Sequence, residues 1–273
     1  MPLIDSHIHL FERGYSDSRP AGAELDDYQT LRKRYGIDKA LVVGFEGDTR
    51  FRGNSAYVLN LVRDHDWIVP LSFIDPTYAS ARSVDEAVAA GAAGFSIYLG
   101  SDSTLAEQVQ ADVWRAIDKH GSILSVNAKP AALASFGPVV ERLPRSKVLI
   151  SHLGLPGLAA IEGSSAGSLA PRTPTRLAAL TELAKYPQVS VKLTGLYAID
   201  PEFPHRQAEA DVCVAMEAFG ISRLVWGSDY SPGLGTVTAD QLFSVPDWLS
   251  KQLSTDELDD LTGKTMQRIL EES

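Results

Sequence analysis

The stretch "PLIDSHIHL", residues 2–10, decides the fold. It is a short apolar run closed by two of the chain's six histidines, one residue apart. In a β-strand successive side chains alternate faces, so His7 and His9 point the same way, about 7 Å apart along the strand. A first strand that ends in paired imidazoles rather than a glycine-rich turn disfavours a doubly wound nucleotide-binding sheet. Seven more apolar or β-branched runs follow: "KALVVGF" (39–45), "IVPLSFI" (68–74), "AAGFSIYL" (92–99), "SILSVNA" (122–128), "KVLISHL" (147–153), "VSVKLTG" (189–195) and "RLVWGSD" (223–229). Each is long enough for one strand and too apolar for an exposed one, as in a parallel sheet covered on its outer face.

Between the runs lie amphipathic stretches, among them "LDDYQTLRKRYG", "NSAYVLNLVRDH", "SVDEAVAAG", "DVWRAIDKHG" and "TRLAALTELAKYP", several ending in Gly or Pro. Eight strand–helix units at about 34 residues each predict an α/β chain folded as a (β/α)8 TIM barrel. No linker divides the sequence, so one barrel domain over 1–273 is expected. The Gly/Ser/Pro-rich segment 154–174, directly after a strand, reads as either a surface loop or a lid. The closing "LSTDELDDLTGKTMQRILEES" predicts a packed amphipathic helix pair.

Composition narrows the class. A hydrophobic fraction of 44% and a charged fraction of 22% are those of a globular protein. A net charge of −10 argues against nucleic acid or an anionic membrane surface as partner. No apolar run is long enough for a bilayer, and the opening shows no basic leader. The single cysteine, Cys213, excludes an internal disulfide and suits a cytoplasmic location. Its place in "EADVCVAMEAFG" reads as small apolar packing.

In a parallel barrel the C-terminal strand ends share one mouth, where reactive groups collect. Strand one delivers His7 and His9 there, with Asp5 just before; strand four delivers Tyr98. Strand five delivers Asn127 and Lys129, strand six His152, strand seven Lys192, and strand eight Ser228 and Asp229. The second loop, "DTRFRGN", adds Arg50 and Arg52. Such groups are costly to bury singly, so their joint arrival at one mouth points to a site. His65 and His120 read as surface residues, and His205 as a residue near the rim at most.

Together "DSHIHLF", "DTRFRGN", "GAAGFSIYL", "ISHLG", "VKLTGL" and "LVWGSDYSP" resemble the amidohydrolase-related family of metal-dependent hydrolase barrels. The resemblance covers nearly the whole chain and is nearest the lactonase branch that includes the 2-pyrone-4,6-dicarboxylate lactonases. It implies a distorted (β/α)8 barrel and places the family's functional groups on His7, His9, His152 and Asp229. Metal-dependent relatives carry a strand-five histidine; here Asn127 stands there, and Tyr98 occupies strand four where a binuclear site would need a lysine. The resemblance therefore implies a lactonase with weak or no metal requirement. In it Asp229 activates water, His7, His9 and His152 hold the carbonyl, and Arg50, Arg52, Tyr98, Asn127, Lys129 and Lys192 bind a small polar or acidic lactone. The alternative is a mononuclear zinc decarboxylase or amide hydrolase, with Zn2+ on His7, His9 and Asp229. A barrel that binds a small anion without catalysis is the reading from another class. A homo-oligomer is left open, since no helix face is marked as an interface.

Overall fold

The computed structural model describes residues 3–16, 19–157 and 174–273. Eight parallel strands stand side by side in chain order: β1 (Leu3–Ile8), β2 (Ile37–Val43), β3 (Ile68–Ile74), β4 (Gly94–Gly100), β5 (Ile123–Ala128), β6 (Lys147–Ile150), β7 (Val189–Leu193) and β8 (Leu224–Trp226). Each predicted run supplies one of them. The fold is the expected (β/α)8 barrel, and its distortion lies at the seam. β1 and β8 meet through a single parallel bridge, Ile8 to Tyr230. There the His9 N–H donates to the Tyr230 carbonyl at 2.5 Å and the Asp229 N–H to the His7 carbonyl at 2.9 Å. The residues that close the barrel are thus the same ones that carry the histidine pair and the aspartate.

Alternation along β2 shows how the barrel is filled. Leu41 and Val43 join Ile4, Leu71, Ile123, Leu149 and Val225 in one buried cluster, the barrel interior at the N-terminal strand ends. Ala40 and Val42 belong instead to the larger cluster between the strands and the outer helices. Gly94 is required in this packing, because a Cβ there would lie 2.1 Å from the Ile123 carbonyl oxygen. The outer layer includes helices Ala23–Tyr35, Asn54–Leu61, Ala81–Ala89, Ala111–Lys119 and Glu209–Phe219.

Three expectations need correction. The C-terminal segment is one helix: Thr255–Asp259 runs through a π turn, Asp260–Lys264, into Thr265–Glu271 with right-handed backbone throughout the junctions. The wider turn directs Met266 and Ile269 into the floor of the barrel, so packing overrides the glycine at 263 as a stop signal. The stretch "TRLAALTELAKYP" forms tight 3-10 turns around a short helix, Ala178–Thr181, rather than one regular helix. Cys213 is exposed rather than packed, because its helix turns Val212 and Ala215 inward instead. The candidate lid lies mostly outside the described residues, which resume at Pro174.

Candidate active site

At the C-terminal strand ends the register of β1 shifts between Asp5 and Ile8, and His7 and His9 turn toward one another. Their Nε2 atoms are 3.2 Å apart. Each ring has a fixed partner on its far side. His9 Nδ1 donates to the Val43 carbonyl at 2.7 Å, which leaves Nε2 as an acceptor. His7 Nδ1 lies 3.1 Å from the Lys192 ammonium, which also donates to Ser125 Oγ at 2.8 Å. With Lys192 donating, His7 carries its proton on Nε2 and passes a hydrogen bond to His9. The chain Lys192–His7–His9–Val43 is then satisfied at every atom. Ser151 Oγ stands 3.3 Å from Ser125 Oγ and 3.5 Å from His7 Nδ1, completing a hydroxyl layer beneath the imidazoles.

Asp229 faces this array from strand eight, in a left-handed backbone conformation with φ of 61°. Its Oδ1 is 3.7 Å from His7 Nε2, its Oδ2 is 3.7 Å from His152 Nδ1, and Tyr197 donates to Oδ2 at 2.5 Å. His152 is also left-handed, φ 54°, and its Nδ1 lies 2.8 Å from Thr194 Oγ1. Behind the strand-eight turn, Asp5 accepts from the Ser228 N–H at 2.8 Å, from Ser228 Oγ at 2.5 Å and from Tyr28 at 3.2 Å. That pins the segment carrying Asp229.

Burial sets the charges. It pushes Asp229 up to about 6, against the opposing pull of His9, Tyr197 and Lys192. Asp5 is likewise raised to about 6 by burial. The imidazoles go the other way: burial lowers His9 to about 4 and His152 to about 3, and takes His7 well below its ordinary value. Lys192 falls to about 7 by burial, opposed by Asp229 and Asp5. At neutral pH the mouth therefore holds neutral imidazoles around an ionised but basic carboxylate.

An open cavity of about 620 Å³ sits over the array. His9, His152, Asp229, Tyr98, Asn127 and Tyr197 line its polar side, and Phe11, Tyr15 and Phe45 its apolar side. His7 and Lys192 are wholly buried and sit beneath it. Arg50, Arg52 and Lys129 do not line it. Asp48 holds Arg50 at 2.9 and 3.0 Å on the outside of its loop, and Arg52 lines a separate cleft beyond Phe11 and Phe51. Lys129 is exposed and contributes its backbone N–H to the Gly100 carbonyl. His205 is buried behind Tyr197, donating to the Asp200 carbonyl at 2.6 Å, and His120 pairs with Asp85 at 2.6 Å. Sequence reading missed Ser125, Ser151, Thr194, Tyr197 and the aromatic wall. Ser125, Ser151, Thr194, Phe11 and Phe45 all lie inside the strand motifs, but only the fold shows that they face the site; Tyr197 lies outside those motifs.

Glu24 holds the rim together. Its carboxylate accepts from the Phe11 N–H at 2.6 Å, the Tyr15 N–H at 3.1 Å and the Ser231 hydroxyl, joining the loops after β1 and β8. Replacing it by Ala strands all three donors, two of them backbone. Glu24→Ala should lower unfolding free energy by about 2–3 kcal/mol in urea titration. A midpoint equal to that of the parent protein would show that the rim does not depend on this carboxylate.

A parallel eight-stranded barrel with imidazoles at the ends of its first and sixth strands and a carboxylate after its eighth is an arrangement of the amidohydrolase type. The sequence profile of the amidohydrolase family matches residues 4–270, and the chain belongs to that family. It is 25% identical to an L-fucono-1,5-lactonase of Burkholderia ambifaria over 240 residues, which are 83% of this chain and 79% of that protein. An amidohydrolase from Burkholderia multivorans, solved with bound zinc, superposes with a TM-score of 0.79 at 24% identity, over 99% of both chains. A Pseudomonas putida protein provisionally named 2-pyrone-4,6-dicarboxylic acid hydrolase gives 0.75 at 19% identity, over 100% of this chain and 98% of that one. The chain is accordingly a hydrolase. No helix among the described residues is long and apolar enough to cross a membrane.

Proposed function

We propose that this protein opens a lactone ring, with Asp229 as general base. The observation that carries the reading is the placement of Asp229: a buried carboxylate facing the cavity, oriented by Tyr197 and, among the described residues, paired with no lysine or arginine. A base so placed takes a proton from water as the oxygen adds to the ester carbonyl. Negative charge then develops on the carbonyl oxygen. With Thr194 donating to His152 Nδ1, the His152 Nε2–H is the donor left for that oxygen, and the Asn127 amide is a second. As the ring C–O bond breaks, the proton held by Asp229 passes to the departing alkoxide. The product is a hydroxy acid. The Tyr98 hydroxyl, which lines the same cavity, lies 3.4 Å from His9 Nε2.

The curated relative acts on a lactone by its name, and an ester needs less carbonyl activation than an amide. The direct test is hydrolysis of a lactone panel, followed as acid release. No turnover of any member above the spontaneous rate would end the lactonase reading.

The second reading is a single Zn2+. The ligand atoms that lie within 4.8 Å of one another are those of His7, His152 and Asp229, with His152 in place of the His9 expected from the sequence, and this donor set fits one divalent cation. Bound there, the cation would supply Lewis-acid polarisation of a carbonyl or water. His7 is the weak member, because a ligand histidine ordinarily donates from its far nitrogen to an oxygen, and here that nitrogen meets an ammonium. Treatment with a chelator should therefore leave lactone hydrolysis within about twofold of the untreated rate. Stoichiometric zinc, lost together with activity and restoring it when returned, would replace the first reading by this one.

A further inference from the structure

We infer that the site selects uncharged lactones with one apolar ring face, and discriminates against lactones that carry a carboxylate. This rests on the lactonase reading above and names the substrate class for that same cavity. Among the described residues the cavity presents one ionised side chain, and it is the carboxylate of Asp229. Lys192 is wholly buried below His7, with two of its N–H groups directed to His7 and Ser125, and it does not line the cavity. The guanidinium groups of the second loop lie on the far side of an aromatic partition. Phe11 and Phe51 stack with centroids 4.1 Å apart, and Phe45 packs on Tyr98 at 4.6 Å. Arg13 and Arg52 line the cleft behind that partition.

Among the described residues a carboxylated substrate would find no cation to pair with in exchange for its lost hydration, and would approach a second carboxylate. A neutral polyol lactone meets no such penalty. Its C–H face lies against Phe11 and Phe45, while its hydroxyls find Tyr98, Asn127 and Tyr197. The same charge arrangement favours release, since the hydroxy acid formed loses its carboxyl proton to solvent and becomes an anion beside Asp229.

The experiment uses matched pairs that differ only in replacing a terminal CH2OH by a carboxylate: galactono-1,4-lactone with galactaro-1,4-lactone, and the corresponding glucono and glucaro lactones. The doubly charged 2-pyrone-4,6-dicarboxylate serves as a further probe. The neutral member should be hydrolysed with kcat/KM about 100-fold higher than its partner. Phe45→Arg, which places a cation on the cavity side of the partition, should narrow that ratio at least about tenfold. Equal or faster hydrolysis of the carboxylated members by the parent protein overturns the inference while leaving the lactonase reading intact. Failure to hydrolyse any of the lactones removes both.

Discussion

Asp229→Asn should lower kcat for lactone hydrolysis by about 1,000-fold, within the range that a positioned general base contributes. The substitution suits the question because it changes little else. Asn tolerates the left-handed backbone that position 229 adopts, φ 61°, as well as Asp does. Its amide oxygen can still accept from Tyr197, and the backbone bond from residue 229 to the His7 carbonyl is untouched. KM should stay within about threefold, since the carboxylate is asked to move a proton rather than to hold substrate. Stability should be unchanged or higher. Burial raises the Asp229 pKa to about 6, so above that pH its ionised form opposes folding, and the neutral amide escapes the cost. Steady-state kinetics and thermal melting at one pH decide the matter. A well-folded Asp229→Asn variant that retains full kcat would mean that some other group activates the water.

Gly195→Ala should be the most damaging substitution that removes no functional group. Gly195 has φ of 60°, a conformation that costs a residue bearing a Cβ about 1–2 kcal/mol. The added carbon would lie 2.6 Å from His152 Nδ1 and 3.2 Å from Asp229 Oδ2. Neither group can yield freely, because Thr194 fixes His152 and Tyr197 fixes Asp229. Displacing the base and the carbonyl donor by a fraction of an ångström to one ångström predicts a loss of about 100-fold in kcat/KM. The clash adds about 1–3 kcal/mol to the backbone figure, so the variant should be less stable as well as poorly active, and its activity is compared at a temperature where it is folded. Parent-like kcat/KM in Gly195→Ala would show that His152 and Asp229 have room to spare.

Much of the site was legible in the sequence because its groups sit at fixed offsets from strand ends. A histidine after an apolar run, or an aspartate after "WGS", falls at the barrel mouth wherever the strand is correctly read. Lys192 shows the limit of that rule. Its position on β7 was legible, but whether the ammonium faces substrate or underpins His7 depends on Ser125 and Ser151, which come from other strands. Arg50 and Arg52 show it again. Their loop was correctly placed, yet Asp48 pairs with Arg50 and Phe51 stacks on Phe11, which turns the charges away from the cavity.

By itself the sequence determined the strand count, the parallel barrel and the approach of His7, His9, His152 and Asp229 to one end. Those follow from periodicity and strand length, which are local. Only the tertiary structure decided which partner each imidazole nitrogen meets, which of the described cations reach the cavity and why residue 195 must be glycine. Each of those depends on atoms far apart in the chain meeting within a few ångströms, and no pattern along one strand encodes such a meeting.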